Sequence, residues 1–220
     1  MKQSDTQREF LEKSTTLYHA SLPGSPAEKH LVNRGLLTET SREQLNRFRL
    51  GFVEDPEPGH EQYRGMLSIP YLRWAPGKGW SVASIRFRCI QEHKHGDGCH
   101  KYNTVAGDRS RIFNTVSLLQ ETEDVGIAEG EFDAITATLC GIETAGVGGA
   151  KAWKKHFRKP FLGYRNVFVF TDGDQAGREF GGRVAEELPN ARIIPMPEGQ
   201  DVGSIVAAHG KQELLRRVYR

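Results

Sequence analysis

The run NVFVFT at residues 166–171, followed at once by DGDQAG, restricts the fold of this chain more than any other stretch. Val167, Phe168, Val169 and Phe170 are consecutive β-branched and aromatic residues with no polar alternation, which predicts a strand covered on both faces, hence a parallel sheet. A second apolar run, VGIA at residues 125–128, stops in the same abrupt way at Glu129 of EGEFD. In open α/β sheets ligands collect beyond the carboxyl ends of the strands, so Glu129, Asp172 and Asp174 are placed to share one site. Gly173 lets a tight turn present both aspartates. Three carboxylates with no basic residue beside them repel one another, and a divalent cation is the simplest way to hold them together.

The rest of the carboxyl-terminal half alternates in the manner of such a sheet. Expected helices cover about 132–139, 151–157, 175–188 and from 203 to the end, with strands at 126–130, 144–147 and 191–196. The amino-terminal half reads differently. Phe10, Leu11, Leu17 and Tyr18 recur at helical spacing after Asp5, an expected N-cap; Ser25-Pro26 opens a second helix ending near Gly35; Ser41 or Thr38 caps a third, with Leu45 and Phe48 buried. EDPEPGHEQ at residues 54–62 has the composition of an exposed loop and suggests a subdomain boundary. Beyond it, strands at 66–69 and 80–90 flank the hairpin APGKG. In the second strand Val82, Ser84, Arg86 and Arg88 are expected on one face, with Ala83, Ile85, Phe87 and Cys89 on the other. The arginine face reads either as a phosphate-binding surface or as a solvated strand face. The fold class is therefore α/β: a mixed α+β subdomain over residues 1–115, then a parallel sheet flanked by helices over 116–220.

The net charge of +2 announces no nucleic acid. Residues 1–115 nonetheless carry 17 Lys and Arg against 13 Asp and Glu, and residues 116–220 carry 13 against 15, the sense expected of a basic surface feeding an acidic metal site. Three cysteines, a polar start and no long apolar run predict a cytoplasmic protein with reduced thiols and no membrane partner. Cys140 reads as a small buried hydrophobe. Cys89, His93, His95, Cys99 and His100 supply ligand types for zinc, but their spacing matches no compact two-pair pattern, and a polar loop that holds histidines is the competing reading.

Residues EGEFDA at 129–134, TDGDQAGRE at 171–179 and PEGQD ending at Asp201 resemble the TOPRIM fold, the metal-binding domain shared by primases, topoisomerases and some nucleases. The amino-terminal half narrows this. NRGL at 33–36, RFRLGF at 47–52, YRGMLSIPY at 63–71, SIRFR at 84–88 and KYNT at 101–104 fall in the order found in the RNA polymerase domain of DnaG-type primases, so the resemblance spans about residues 27–217. It implies a DNA-dependent RNA primase core in which Glu129, Asp172 and Asp174 hold Mg²⁺ or Mn²⁺, two ions or more, with Asp133 and Asp201 supporting the site. It also implies two-metal nucleotidyl transfer, a 3′-hydroxyl attacking an α-phosphate. By the same resemblance Arg34, Arg64, Arg88, Lys101 and Tyr102 contact nucleotide, with Arg86 an alternative to Arg88. Lys151, after GVGGA, is expected to reach a phosphate from the start of a helix.

The chain departs from that pattern at KYNT, where the family has KYLN, at Glu131, where it has a hydrophobe, and in a longer connection from Cys89 to His100. Neither a zinc-ribbon nor a helicase-binding domain is recognisable, so the expected partners are single-stranded DNA, ribonucleoside triphosphates, a replicative helicase and a separate template-recognition module, in a compact phage-like core acting in a bacterial cytoplasm. Two other readings stay open: a TOPRIM nuclease using the same carboxylates on water, and a non-catalytic single-strand-binding module.

Overall fold

The structure, a computed structural model, describes residues 3–77, 79–93, 96 and 100–219. The chain divides into two compact units, Met1–Arg109 and Ser110–Arg220, six residues earlier than the 115/116 division suggested by the sequence. Phe113 accounts for the shift, because it pairs with Gly146 through two backbone hydrogen bonds and so belongs to the second unit.

The first unit holds helices α1 (Asp5–Ala20), α2 (Pro26–Asn33) and α3 (Arg42–Asn46) with an antiparallel sheet of order β1 (Gly51–Phe52), β2 (Leu67–Ala75), β3 (Gly79–Arg88), β4 (Tyr102–Thr104). Ser4, not Asp5, is the N-cap of α1, its hydroxyl accepting from the Gln7 N–H, while Ser25 caps α2 as its sequence predicts. Ser41 precedes α3 without a side-chain cap bond; its hydroxyl donates instead to the Leu36 carbonyl.

Two expectations for this unit fail for physical reasons. Loop 54–62 is not a boundary: backbone bonds from Val53 N to Met66 O and from Gly65 N to Val53 O close it into an excursion, and His60 at its end is 2% exposed. His60 Nδ1 meets the Tyr18 hydroxyl at 2.9 Å, and its ring packs edge-on to Phe10, Tyr63 and Phe87. The second failure concerns faces. The pairing register slips between Tyr71 and Leu72, so that Tyr71 opposes Ser84 while Leu72 opposes Val82, leaving Ala83 as the extra residue. That bulge returns Val82 to the core beside Ile85 and Phe87 rather than to the arginine face.

The second unit is a parallel sheet of order β6 (Thr144–Gly146), β5 (Asp124–Ala128), β7 (Asn166–Thr171), β8 (Ala191–Pro195). On β7, Val167 and Val169 join Phe180 and Val184 of α5 (Gln175–Glu187) in one core. Phe168 points the other way and meets the ring of Tyr219 at 5.7 Å, just beyond α7 (Lys211–Val218). Cover on both faces is why the run carries no polar alternation. Helix α4 (Glu131–Leu139) lies against β6 and against α6 (Val202–His209). The last expected helix is two, because Gly210 takes φ 76° and breaks the path between α6 and α7. Residues 150–161 form two 3₁₀ segments, Ala150–Ala152 and Lys155–Phe161, instead of an α-helix. Among the described residues no helix is long and apolar enough to cross a membrane.

Candidate functional site

Strands β5 and β7 are adjacent, parallel and in register, Ala128 opposite Phe170, so their carboxyl ends stop at the same level. Glu129 follows β5 directly. It is 7% exposed, and its Oε1 accepts the Asp172 N–H at 3.0 Å, which ties the two strand ends together. Burial pushes the Glu129 carboxyl above its ordinary value; the Asp172 N–H opposes this, the negative Asp174 and Asp133 add to it, and the Arg183 guanidinium opposes it. Asp174 caps α5, its Oδ1 accepting the Gly177 N–H at 2.7 Å. A Cβ at residue 177 would stand 2.2 Å from the Asp172 carbonyl oxygen and 2.8 Å from Glu129 Oε1, so only glycine lets α5 start this close beneath the acidic turn.

Asp133 and Asp201 enter from the other side of the sheet end. Asp133 Oδ1 accepts the Gly203 N–H at 3.2 Å, linking α4 to α6. Asp201 caps α6 in a reciprocal capping box with Ser204. Gly173 donates to the Gln200 carbonyl at 2.8 Å and accepts from Gly199 N–H at 3.0 Å, which holds loop 197–201 against the DGD turn. The structure thus brings Glu129, Asp133, Asp174 and Asp201 to one end of the sheet with the backbone of Asp172. Among the described residues, however, no three His, Cys, Asp or Glu side chains converge closely enough to ligate one ion. Asp174, Asp201 and Asp133 each turn one oxygen to a backbone N–H instead.

Lys151 lies on the three-residue 3₁₀ turn, exposed, so the expected helix N-terminus is not there. Its turn is nevertheless tied to the acidic end: Gly149 N–H donates to the Glu129 carbonyl at 2.6 Å, and Arg183 Nη2 donates to the Ala150 carbonyl at 2.7 Å.

In the first unit β3 and β4 assemble a basic and aromatic cluster. The Arg86 and Arg88 guanidiniums sit 4.3 and 4.9 Å from the Tyr102 ring centroid, and Arg88 Nη1 donates to the Tyr102 hydroxyl. Arg34 and Arg88 both act on His30 of α2, whose pKa is pushed down to about 4 by burial first, then by Arg88 and Arg34. Lys101 is exposed beside Tyr102, with its carbonyl accepting the Cys89 N–H at 3.0 Å. Arg64 is placed elsewhere, donating to the Glu54 carbonyl and pairing with exposed Asp55 at 3.3 Å. Cys89 is buried and His93 is described, whereas His95 and Cys99 of the zinc expectation lie outside the described residues. Burial pushes the Cys140 thiol up to about 11, in keeping with a buried, unreactive cysteine.

The His30 geometry has a pH signature. Its folded pKa lies below the ordinary 6.5, so the unfolded chain binds the proton more readily and stability is lost as pH falls from about 6.5 toward 4. Urea unfolding of wild type should lose about 2 kcal/mol more between pH 7.5 and pH 5 than unfolding of His30→Gln. Parallel pH curves for the two proteins would refute this.

Residues 126–206 match the Toprim-like family. The Gene 57 protein of Mycobacterium phage D29 is 57% identical over 156 residues, which cover 71% of this chain and 99% of that protein. The DNA primase of Pseudomonas aeruginosa is 30% identical over 253 residues, covering 95% of this chain and 37% of the primase. The chain carries a Toprim-like domain and belongs with the phage Gene 57 protein, while it spans little more than a third of the length of the DNA primase it matches. Its fold is that of the DnaG catalytic core: a DnaG primase catalytic domain solved bound to ssDNA superimposes with TM-score 0.71 at 20% identity, over 98% of this chain and 82% of that domain.

The donor types at the sheet end, though not gathered around one point, are those a hard divalent cation takes. The side chains brought there offer only carboxylate oxygens, and Glu129 is buried against the charges of Asp174 and Asp133 with Arg183 as the opposing cation. Arg183 and His30 are neighbours of the two clusters that sequence reasoning missed. Arg183 is one of several exposed basic residues, and no local pattern separates it from the others. Glu131, the departure from the family's hydrophobe, is 1% exposed.

Proposed function

We propose that this chain is the catalytic core of a DNA primase, joining ribonucleoside triphosphates into short RNA primers on single-stranded DNA by attack of a 3′-hydroxyl on an α-phosphate. The observation that carries the reading is the buried Glu129 at the end of β5, bonded to the Asp172 N–H at the end of β7 and loaded by the charges of Asp174 and Asp133. Glu129, Asp172 and Asp174 would hold Mg²⁺ or Mn²⁺, with Asp133 and Asp201 steadying the loops around them. A divalent cation bound there supplies Lewis-acid polarisation of phosphoryl oxygens and makes a hydroxyl more acidic. The guanidiniums of Arg34, Arg86 and Arg88 suit triphosphate oxygens, and Tyr102 holds the last two in place through its ring. Lys101 and Lys151 add exposed positive charge for phosphate. A replicative helicase and a separate template-recognition module are the partners such a core would work with. The single-stranded template is supported by the DnaG domain bound to ssDNA.

The test is condensation of labelled NTPs on single-stranded DNA with Mg²⁺ or Mn²⁺. Wild type should yield short RNA and Asp172→Ala should yield about a thousandfold less, the loss expected when several kcal/mol of charge stabilisation go. Equal product from the two proteins would reject the assignment. Cleavage of DNA without NTPs, lost in Asp172→Ala, would replace it with a nuclease.

A further inference from the structure

The turn that carries Lys151 is held from two sides. Its approach is pinned to the end of β5: the Val147 N–H donates to the Ala128 carbonyl at 3.1 Å and the Gly149 N–H to the Glu129 carbonyl at 2.6 Å. Helix α5 grips it from the other side. Arg183 Nη2 donates to the Ala150 carbonyl at 2.7 Å, and Glu187 Oε2 accepts the Trp153 Nε1–H at 3.1 Å. Arg183 and Glu187 are four residues apart in α5 and so share one face, bracketing Lys151 from before and after.

The helix that grips this turn is the one that starts at the acidic end. Asp174 caps α5, and Phe180 and Val184 of α5 lie in one core with Trp153. A helix is stiff along its axis, so the clamp sets a fixed spacing between the DGD turn and Lys151. The turn has little stiffness of its own. Gly148 and Gly149 precede it at φ 75° and 127°, and residues 150–152 make only a 3₁₀ turn. Exposed Lys151 therefore owes its place to the bonds from α5.

We propose that Arg183 and Glu187 are positioning residues that hold Lys151 in place at the acidic end for the phosphates of an incoming nucleotide. The clamp rests on the primase reading for naming that phosphate a nucleoside triphosphate, and on Lys151 as its contact. The probe is inorganic tripolyphosphate, titrated calorimetrically with Mg²⁺ into the whole chain. Lys151→Ala and Arg183→Met should each weaken binding about tenfold, and the double variant should lose the same tenfold rather than a hundredfold, because both changes remove one interaction. Glu187→Ala should weaken it too, with Glu187→Gln recovering most of the loss because its amide oxygen still accepts from Trp153. In NTP condensation KM should rise about tenfold in Arg183→Met while kcat changes less than about threefold, a split that lost stability alone would not produce.

A hundredfold loss in the double variant would overturn the proposal, since Arg183 would then act independently of Lys151. Unchanged tripolyphosphate affinity in Arg183→Met would do so as well, leaving its bond to Ala150 purely structural, as would a wild type that takes up no tripolyphosphate. Glu187→Ala reaches the same turn from its other end, so the test stands even if Arg183→Met does not fold. If wild type binds tripolyphosphate with the expected coupling yet makes no RNA, the primase reading fails and the clamp stands.

Discussion

Glu129→Gln should melt about 2–4 °C above wild type at pH 7 without metal, while NTP condensation falls about a thousandfold. The two effects have one origin. Wild type buries a carboxylate among the charges of Asp174 and Asp133, and burial with that repulsion holds its pKa above the ordinary 4.5. A carboxyl whose folded pKa is raised destabilises the fold once both states are ionised, and the penalty disappears as pH falls through the raised value toward 4.5. Glutamine keeps an acceptor for the Asp172 N–H and discards the charge, a gain on the order of 1 kcal/mol. The melting difference should therefore shrink between pH 7 and pH 5. Mn²⁺ should stabilise wild type and leave Glu129→Gln unmoved, since a ligand raises stability only where it binds the folded state. A variant melting at or below wild type at pH 7, or one that retains condensation, would contradict the assigned role.

Gly173→Ala is expected to be the most damaging single-methyl change in the second unit. A Cβ there would lie 1.7 Å from the Pro197 carbonyl oxygen and 2.5 Å from its carbon, and both are backbone atoms that cannot swing aside. Loop 197–201 must move, breaking the bonds from Gly173 N to Gln200 O and from Gly199 N to Gly173 O. Overpacking of this kind costs about 1–3 kcal/mol, occasionally more, and should lower the melting temperature by about 4–10 °C. Because Asp201 and Gly203 follow that loop, hydrogen exchange at Ser204 and Ile205 should accelerate as the α6 cap and the Asp133 contact loosen. Gly182→Ala is the control: it lies within α5 with nothing within 4 Å of an added Cβ, and alanine's helix propensity should stabilise it by up to about 1 kcal/mol. Equal melting of the two variants would show that the close approach at residue 173 is relaxed in solution.

Such close approaches mark where sequence reading stops. Gly173 looks in the sequence like a residue that merely bends a turn between two aspartates. In the fold its missing side chain admits the Pro197 carbonyl and so brings a loop some twenty-five residues downstream onto the acidic end. Likewise, strict alternation placed Val82 with Arg86 and Arg88, and the bulge at Ala83 reversed that, a pairing irregularity that leaves no local trace. His60 sits in a stretch whose Pro, Gly and charge content reads as solvent-exposed, yet aromatic rings from distant segments bury it.

The sequence by itself determined the parallel sheet and the placing of Glu129, Asp172 and Asp174 at its strand ends. An unbroken apolar run that stops at Gly and carboxylates is a local pattern with one economical solution: a strand covered on both faces whose polar end meets solvent or a ligand. Only the tertiary structure decided which further groups reach those ends. It brought Asp133 to Gly203, set Gly177 beneath Glu129, moved Arg183 into range, and grouped Arg34 and Arg88 around His30 while leaving Arg64 with Asp55. These outcomes depend on loop closures and strand register, whose energies are spread over residues far apart in the chain, and no short window of sequence encodes them.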